Sequence, residues 1–312
     1  MFFSRRGRLA AAVLAAGTAL VLTGCGAGGD PLATGDTPSG DAETILVGSA
    51  GFAESEIIAQ IFAQALEANG VTVDFQGQIG QRDVYIAALE DGSIDLIPDY
   101  SGNLLQFFDE DSEAKSSDEV YAALPDALPE GFEVLDQSEA EDKDSYNVTK
   151  EFSADNGVTS LADLAGLDVP LIVGGNPELA ERPYGPKGLT DVYGVDAAKI
   201  SFVPISDSGG PLTTAALLDG TVNIADIFST TPSIKENGFV TLEDPENMIL
   251  PQNVLPLINS EKASDTVKDV LNAVSAELTT EDLIELNTRN QGDEKASPEV
   301  LAKDWLAEKD LF

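Results

Sequence analysis

The chain has 312 residues, with 17 basic against 55 acidic side chains, no histidine and one cysteine. The net charge of −38 excludes nucleic acid as a partner, which would need a basic patch. The missing histidine excludes Ser-His-Asp and Cys-His catalysis and imidazole metal sites. The opening stretch "MFFSRRGRLAAAVLAAGTALVLTGC" sets Arg5, Arg6 and Arg8 before an apolar run from Leu9 to Leu22. It reads as a secretory signal over residues 1–24, too short for a membrane span.

The ending Leu22-Thr23-Gly24-Cys25 is similar to a bacterial lipobox, so Cys25 is expected to carry a lipid anchor. As the only cysteine, it permits no intrachain disulfide. Removing the three signal arginines leaves 14 basic against 55 acidic residues, a net −41. Residues 25–42 are rich in Gly, Pro, Thr and Asp and read as a flexible tether.

Strands then alternate with helices. "TILVGS" from Thr44 is a buried strand. The stretch after it places Ile57, Ile58, Ile61, Phe62, Ala65 and Leu66 on one helical face and ends at Gly70. "VTVDF", a helix over 83–90, strand "IDLIP" and a helix over 117–127 follow. A second lobe begins near Asp144, with strands "PLIVGG", "ISFVPI" and "VNIADIF" and helices near 187–193 and 211–220. The chain returns to the first lobe near Met248–Asn259 and ends in helices; Ser297-Pro298-Glu299 is a helix start. This pattern predicts an α/β fold of two lobes, each a mostly parallel sheet flanked by helices. The expected boundaries are 43–145 and 251–312 for the first lobe and 146–250 for the second.

One phrase occurs twice. "AALEDGSIDLIPDYSG" from Ala87 returns as "AALLDGTVNIADIFST" from Ala215, offset by 128 residues. Each copy reads as a helix end, a glycine turn and a buried strand. The offset is too long for a solenoid repeat and suits two related lobes, with Tyr100 and Phe228 at equivalent strand ends and Ser101 and Ser229 after them. Glycines at Gly51 and Gly210 mark helix starts whose backbone N–H groups are candidates to hold an anion at the interlobe crevice. Tyr100, Tyr146 and Tyr184, at strand ends, a crossover and a loop, are candidates to face a cation. No EF-hand or phosphate-binding Gly-Lys-Ser/Thr motif is present. A carboxylate-only or Mg²⁺ site stays open on composition alone, but no cofactor, metal or enzymatic activity is expected.

Four segments carry a resemblance over Thr44–Phe312: "VGSAGF", "IGQRDVYIAALEDGSIDLIPDYSGNLLQFF", "PELAERPYGPKGLTDVYGV" and "GGPLTTAALLDGTVNIADIFST". The chain resembles the glycine betaine/choline/carnitine substrate-binding proteins of ABC importers. The resemblance implies a type II periplasmic-binding fold, with the solute held between the lobes by aromatic and carboxylate contacts. It implies an extracytoplasmic lipoprotein that delivers a small zwitterionic or quaternary-ammonium solute to a membrane permease driven by a cytoplasmic ATPase. Residue by residue, Tyr100 matches the tyrosine of "EYTG", with Asp99 and Ser101 beside it. Glu178, Arg182 and Tyr184 match "PExxxRxxY", and Ser229 and Thr230 match "FST". Gly51, Phe52, Arg82, Tyr146, Asn147, Gly210, Phe228 and Asn253 complete the expected ligand set. The family's usual lysine is Ala50 here, its glutamine is Ser55, and aromatics usual in the family stand as Thr214, Gln252 and Asn253. Those departures leave other betaines and amino-acid derivatives open as solutes. A sensory or structural lipoprotein of the same fold is the alternative role.

Overall fold

The computed structural model describes residues 44–312. The signal, Cys25 and the tether lie outside the described residues.

The first lobe runs β1 (Ile45–Gly48), α1 (Ala53–Ala68), β2 (Val73–Gln76), α2 (Arg82–Glu90), β3 (Leu96–Tyr100), α3 (Ser101–Phe108), α4 (Ser117–Ala127) and β4 (Phe132–Val134). The second runs β5 (Tyr146–Val148), α5 (Lys150–Asn156), β6 (Leu171–Gly175), α6 (Pro186–Asp191), β7 (Ile200–Pro204), α7 (Pro211–Leu218), β8 (Ile224–Asp226), α8 (Pro232–Asn237) and β9 (Val240–Thr241). The chain then returns through β10 (Val254–Asn259), α9 (Asp265–Glu277), α10 (Thr280–Gln291) and α11 (Pro298–Glu308).

The strands form two five-stranded sheets, ordered β2-β1-β3-β10-β4 and β7-β6-β8-β5-β9. The repeated phrase thus places β3 and β8 at the third position of two sheets with one topology. Within each sheet the first three strands are parallel, and the fourth, β10 or β5, is reversed. Both reversed strands lie just after the chain changes lobe, so each sheet is mixed where a mostly parallel one was expected. The match of topology explains why two segments 128 residues apart share a pattern: each must bury a strand beside its neighbours and end it at the gap between the lobes.

Local chemistry accounts for the main elements. In α1, Ile57, Ile58, Ile61, Phe62, Ala65 and Leu66 are all buried. Full burial of one such branched or aromatic side chain contributes about 1.5–3 kcal/mol. The two turn glycines of the repeat, Gly92 and Gly220, have φ of 75° and 77°, a left-handed conformation that costs other residues steric strain. A reciprocal Ser116–Glu119 capping box starts α4, and Ser297, with Pro298 behind it, caps α11. Thr279 caps α10 in a reciprocal capping box with Asp282. Leu301, Trp305 and Leu306 of α11 close the core over α1. No helix among the described residues is long and apolar enough to cross a membrane.

Candidate functional site

The ends of β3 and β8 meet at one cavity. Its lining takes Asp99 and Tyr100 from β3, Asp226 and Phe228 from the other sheet, and Phe52, Arg82, Tyr85, Asp144, Arg182 and Tyr184 around them. The cavity holds about 80 Å³. One water needs about 10–15 Å³, so the space suits a small solute. A wider cleft adjoins it, shares Phe52, Glu178 and Phe228, and is rimmed by Gly51, Glu54, Gly210 and Thr230.

Three rings cross the gap. The Phe52 ring centroid lies 6.0 Å from that of Tyr100, in the same lobe, and 5.6 Å from that of Phe228, in the other. Tyr100 and Phe228, paired by the sequence repeat, therefore flank one phenylalanine. The edge-to-face setting of Phe52 on Phe228 is a geometry aromatic quadrupoles favour.

The polar groups divide into satisfied and unsatisfied. Asp99 is saturated: Arg82 Nη2 donates to Oδ1 at 2.6 Å, the Tyr85 hydroxyl to Oδ2 at 2.8 Å and the Tyr100 backbone N–H to Oδ1 at 2.7 Å. Burial disfavours the Arg82 charge, but Asp99 more than offsets it and the pKa rises. Arg82 is thus occupied within the protein. Arg182 makes no ion pair among the described residues and lines the same cavity. Burial raises Asp226 well above the usual carboxylate range, with neighbouring Asp144 adding to the effect. Asp142 is raised by burial and then by Glu54. Like-charged groups held out of water favour the protonated form of one partner.

Of the residues expected from sequence to meet a ligand, Phe52, Arg82, Tyr100, Glu178, Arg182, Tyr184 and Phe228 line the inner cavity. Gly51, Gly210 and Thr230 line the outer cleft. The other five do not reach either space. Ser101 packs at the chain return, its Oγ donating to the Pro251 carbonyl and accepting from Asn253 N–H. Tyr146 is buried in the second-lobe core and donates to the Tyr184 carbonyl, so it positions that loop from behind. Asn147 is fully buried and donates to Ser145 O. Ser229 points to Asp142, and Asn253 bridges Ser117 and the Ser138 carbonyl. Ser101, Asn147, Ser229 and Asn253 brace places where the chain changes lobe.

The helix starts also differ from expectation. At α7 the Asp207 carboxylate already accepts from the N–H groups of Leu212 and Thr213 and from the Thr213 hydroxyl, so the protein supplies its own anion. At the first helix start, Gly51 N–H donates to the Gly80 carbonyl and Ala50 N–H to Ser55 Oγ. The places of the family's missing aromatics lie off the inner cavity. Thr214 bonds Ser233, and Gln252 is fully buried in a reciprocal pair with Asn103. The sequence reading missed Tyr85, Asn103, Asp142, Asp144, Asn176 and Asp226. The signal for Asp226 was an acid inside an otherwise apolar strand, "NIADIF", since a buried carboxylate there needs a reason.

Known proteins share the fold and place the chain in a family. Residues 43–308 match the family model described as the substrate binding domain of ABC-type glycine betaine transport system. The glycine betaine-binding protein YehZ of Escherichia coli is 26% identical over 229 residues, 70% of this chain and 74% of that protein. A glycine-betaine-binding protein of Pseudomonas aeruginosa is 24% identical over 285 residues, 87% of this chain and 89% of that protein. The crystal structure of a glycine betaine/carnitine/choline ABC transporter protein superposes with a TM-score of 0.69 at 20% identity, covering 86% of this chain and 99% of the other. That likeness shows the two-lobed type II periplasmic-binding fold. The chain belongs to the family of substrate-binding domains of ABC-type glycine betaine transport systems.

Proposed function

We propose that the protein captures a small zwitterionic or quaternary-ammonium osmoprotectant in the inner cavity, closes its lobes on it and delivers it to an ABC permease with a cytoplasmic ATPase. It does no chemistry on the solute. Cys25 carries the lipid that holds it at the outer face of the membrane, with residues 26–42 as tether.

The observation that carries the reading is the aromatic trio of Phe52, Tyr100 and Phe228 beside several carboxylates and the unpaired Arg182. A cation at an aromatic face gains about 0.5–2 kcal/mol, and more where water is excluded. Nearby carboxylates add charge, and Arg182 offers a planar fork to a solute carboxylate. Relatives named for glycine betaine support the same class. Purified 42–312 should be screened by thermal shift against glycine betaine, choline, carnitine, amino acids and sugars. A solute at 100 times its Kd adds about 2.7 kcal/mol of stability. Stabilisation by none of the cationic solutes would count against the reading.

A further inference from the structure

The inner cavity holds four aspartates, and the protein treats them unequally. Asp99 has its oxygens filled by Arg82, Tyr85 and the Tyr100 N–H. Asp142 Oδ1 accepts from Thr230 N–H at 2.9 Å and Ser229 Oγ at 3.2 Å. Asp144 accepts from Asn103 Nδ2 at 3.2 Å and lies within hydrogen-bond reach of Asp226. Asp226 is 3% exposed; its carboxylate accepts from the Ser145 backbone N–H, and its Oδ1 has no hydrogen-bond donor among the described residues. A buried acceptor left unfilled is costly, and an ionised carboxylate offers about four acceptor positions. Asp144 and Asp226 lie together on the cavity wall, with Tyr184 among the lining groups.

We infer that the cationic end of the solute carries at least one N–H, and that the Asp144–Asp226 pair accepts it. The inference rests on the proposed reading of the cavity as the solute site and narrows the class of solute. A quaternary ammonium brings charge to the pair but no donor. Its methyl groups hold the carboxylates at van der Waals distance, and their oxygens stay unfilled once the lobes exclude water. A protonated secondary or tertiary amine, or a guanidinium, brings both charge and donor, and charge-assisted hydrogen bonds are the strong ones. Burial favours the protonated form of Asp226 in the ligand-free protein, and an incoming cation favours the charged one. Sites built to hydrogen-bond an N–H discriminate strongly against analogues that lack it, because the site's own polar groups are then left unpaired. The aromatic trio is compatible with this class, since ring faces attract partly methylated and cyclic ammonium groups as well.

A graded methylation series tests the inference. Glycine betaine, N,N-dimethylglycine and sarcosine differ in N–H count and share a carboxylate; choline and N,N-dimethylethanolamine repeat the comparison without one. Calorimetric titration of the wild-type protein should give the N–H-bearing member of each series at least about tenfold tighter binding than its quaternary partner. Asp226→Asn, which keeps the shape and removes the charge, should shrink that preference to about threefold or less, while melting at or above the wild-type temperature. Quaternary members binding as tightly as their N–H partners would overturn the inference and leave the solute site standing. A preference unchanged in both Asp226→Asn and Asp144→Asn would overturn the assignment to this pair. Binding by no member of either series, in protein that melts cooperatively, would overturn the parent reading and this one with it.

Discussion

The hydroxyl of Thr230, in the second lobe, donates to Oε2 of Glu54, in the first, at 2.6 Å. Asn287 of α10 donates to both, at 2.6 Å to Glu54 and 3.0 Å to Thr230. Tyr100 fills the other oxygen of Glu54, also at 2.6 Å. The lobes are thus joined by a buried polar node directly beside the cavity. The chain itself crosses between them only from β4 to β5 and from β9 to β10. Two crossovers are few enough to act as a hinge, and the node is what a hinge motion must break or make.

The node gives the first prediction. Thr230→Val keeps the shape and removes the donor. A hydrogen bond to a charged group contributes about 1.5–3 kcal/mol. Where the closed form depends on it, the Kd for a solute that binds wild type should rise about tenfold or more. Calorimetry reads the affinity, and small-angle scattering at saturating solute reads the closure. A variant that binds and compacts like wild type would show that the contact is incidental.

Tyr100 is both lining and core. It is 7% exposed, packs in the first-lobe core and donates to Glu54. Position at a strand end marks it as a cavity residue from sequence alone, but not as a donor to a buried carboxylate oxygen. Tyr100→Phe keeps the ring face and removes a donor to the buried Glu54 Oε1, so it should lower stability by about 1–3 kcal/mol. Tyr100→Ala should lose that, the packing and the solute as well. A Tyr100→Phe protein melting at the wild-type temperature would remove Tyr100 from the node.

Much of this was legible in sequence because burial and turns leave period and composition behind. The apolar face of α1, the glycine turns at Gly92 and Gly220 and the repeat that pairs β3 with β8 all follow from local pattern. The direction of a side chain does not. Tyr146 and Tyr184 are equally plausible from sequence, yet the first turns into the core to brace the second. Asp142 and Asp144 sit in the charged run "EAEDKDSY", where nothing separates a cavity acid from a solvated one. Which acids become buried is decided by the crossover from β4 to β5, and that is tertiary.

Arg182 provides a test of how the two ends of a solute are read. Arg182→Met keeps length and removes the charge. Affinity for a solute with a carboxylate should fall about tenfold or more, while a cation without one, such as choline or N,N-dimethylethanolamine, should change about threefold or less. Titration of both classes against both proteins gives the four values needed. An equal loss for both classes would assign Arg182 to the shape of the cavity.

The anchor is checked independently of the solute. Cys25→Ala should abolish incorporation of a fatty-acid analogue in labelled cells and release the protein or leave its signal uncleaved. Equal labelling of wild type and variant would refute the lipid assignment.

The last prediction concerns pH. Asp142 and Asp226 both titrate above the ordinary Asp value of 3.8, first because burial disfavours their charge, then because Glu54 and Asp144 stand beside them. An acid with a raised folded-state pKa holds its proton more tightly folded than unfolded. Its contribution to stability is complete below the unfolded value and is lost as pH rises through the folded one. The ligand-free protein should therefore melt at a lower temperature as pH rises from about 5 toward 8. Exposed carboxylates held below their ordinary range, such as Asp163 and Glu119, act in the opposite sense but at lower pH. The chain's net charge of −38 pushes in the same direction through self-repulsion, so the slope alone does not identify the pair. Asp226→Asn separates them: it removes one buried titration and changes the net charge by a single unit, so it should flatten the slope far more than an exposed substitution such as Asp191→Asn. A bound cation favours the charged carboxylates, so solute affinity should run the other way and weaken as pH falls through the raised values. Melting temperature and affinity (the reciprocal of Kd) measured on the same samples at constant ionic strength should then move oppositely with pH. Parallel movement, or an Asp226→Asn slope equal to wild type, would place the titrating groups elsewhere.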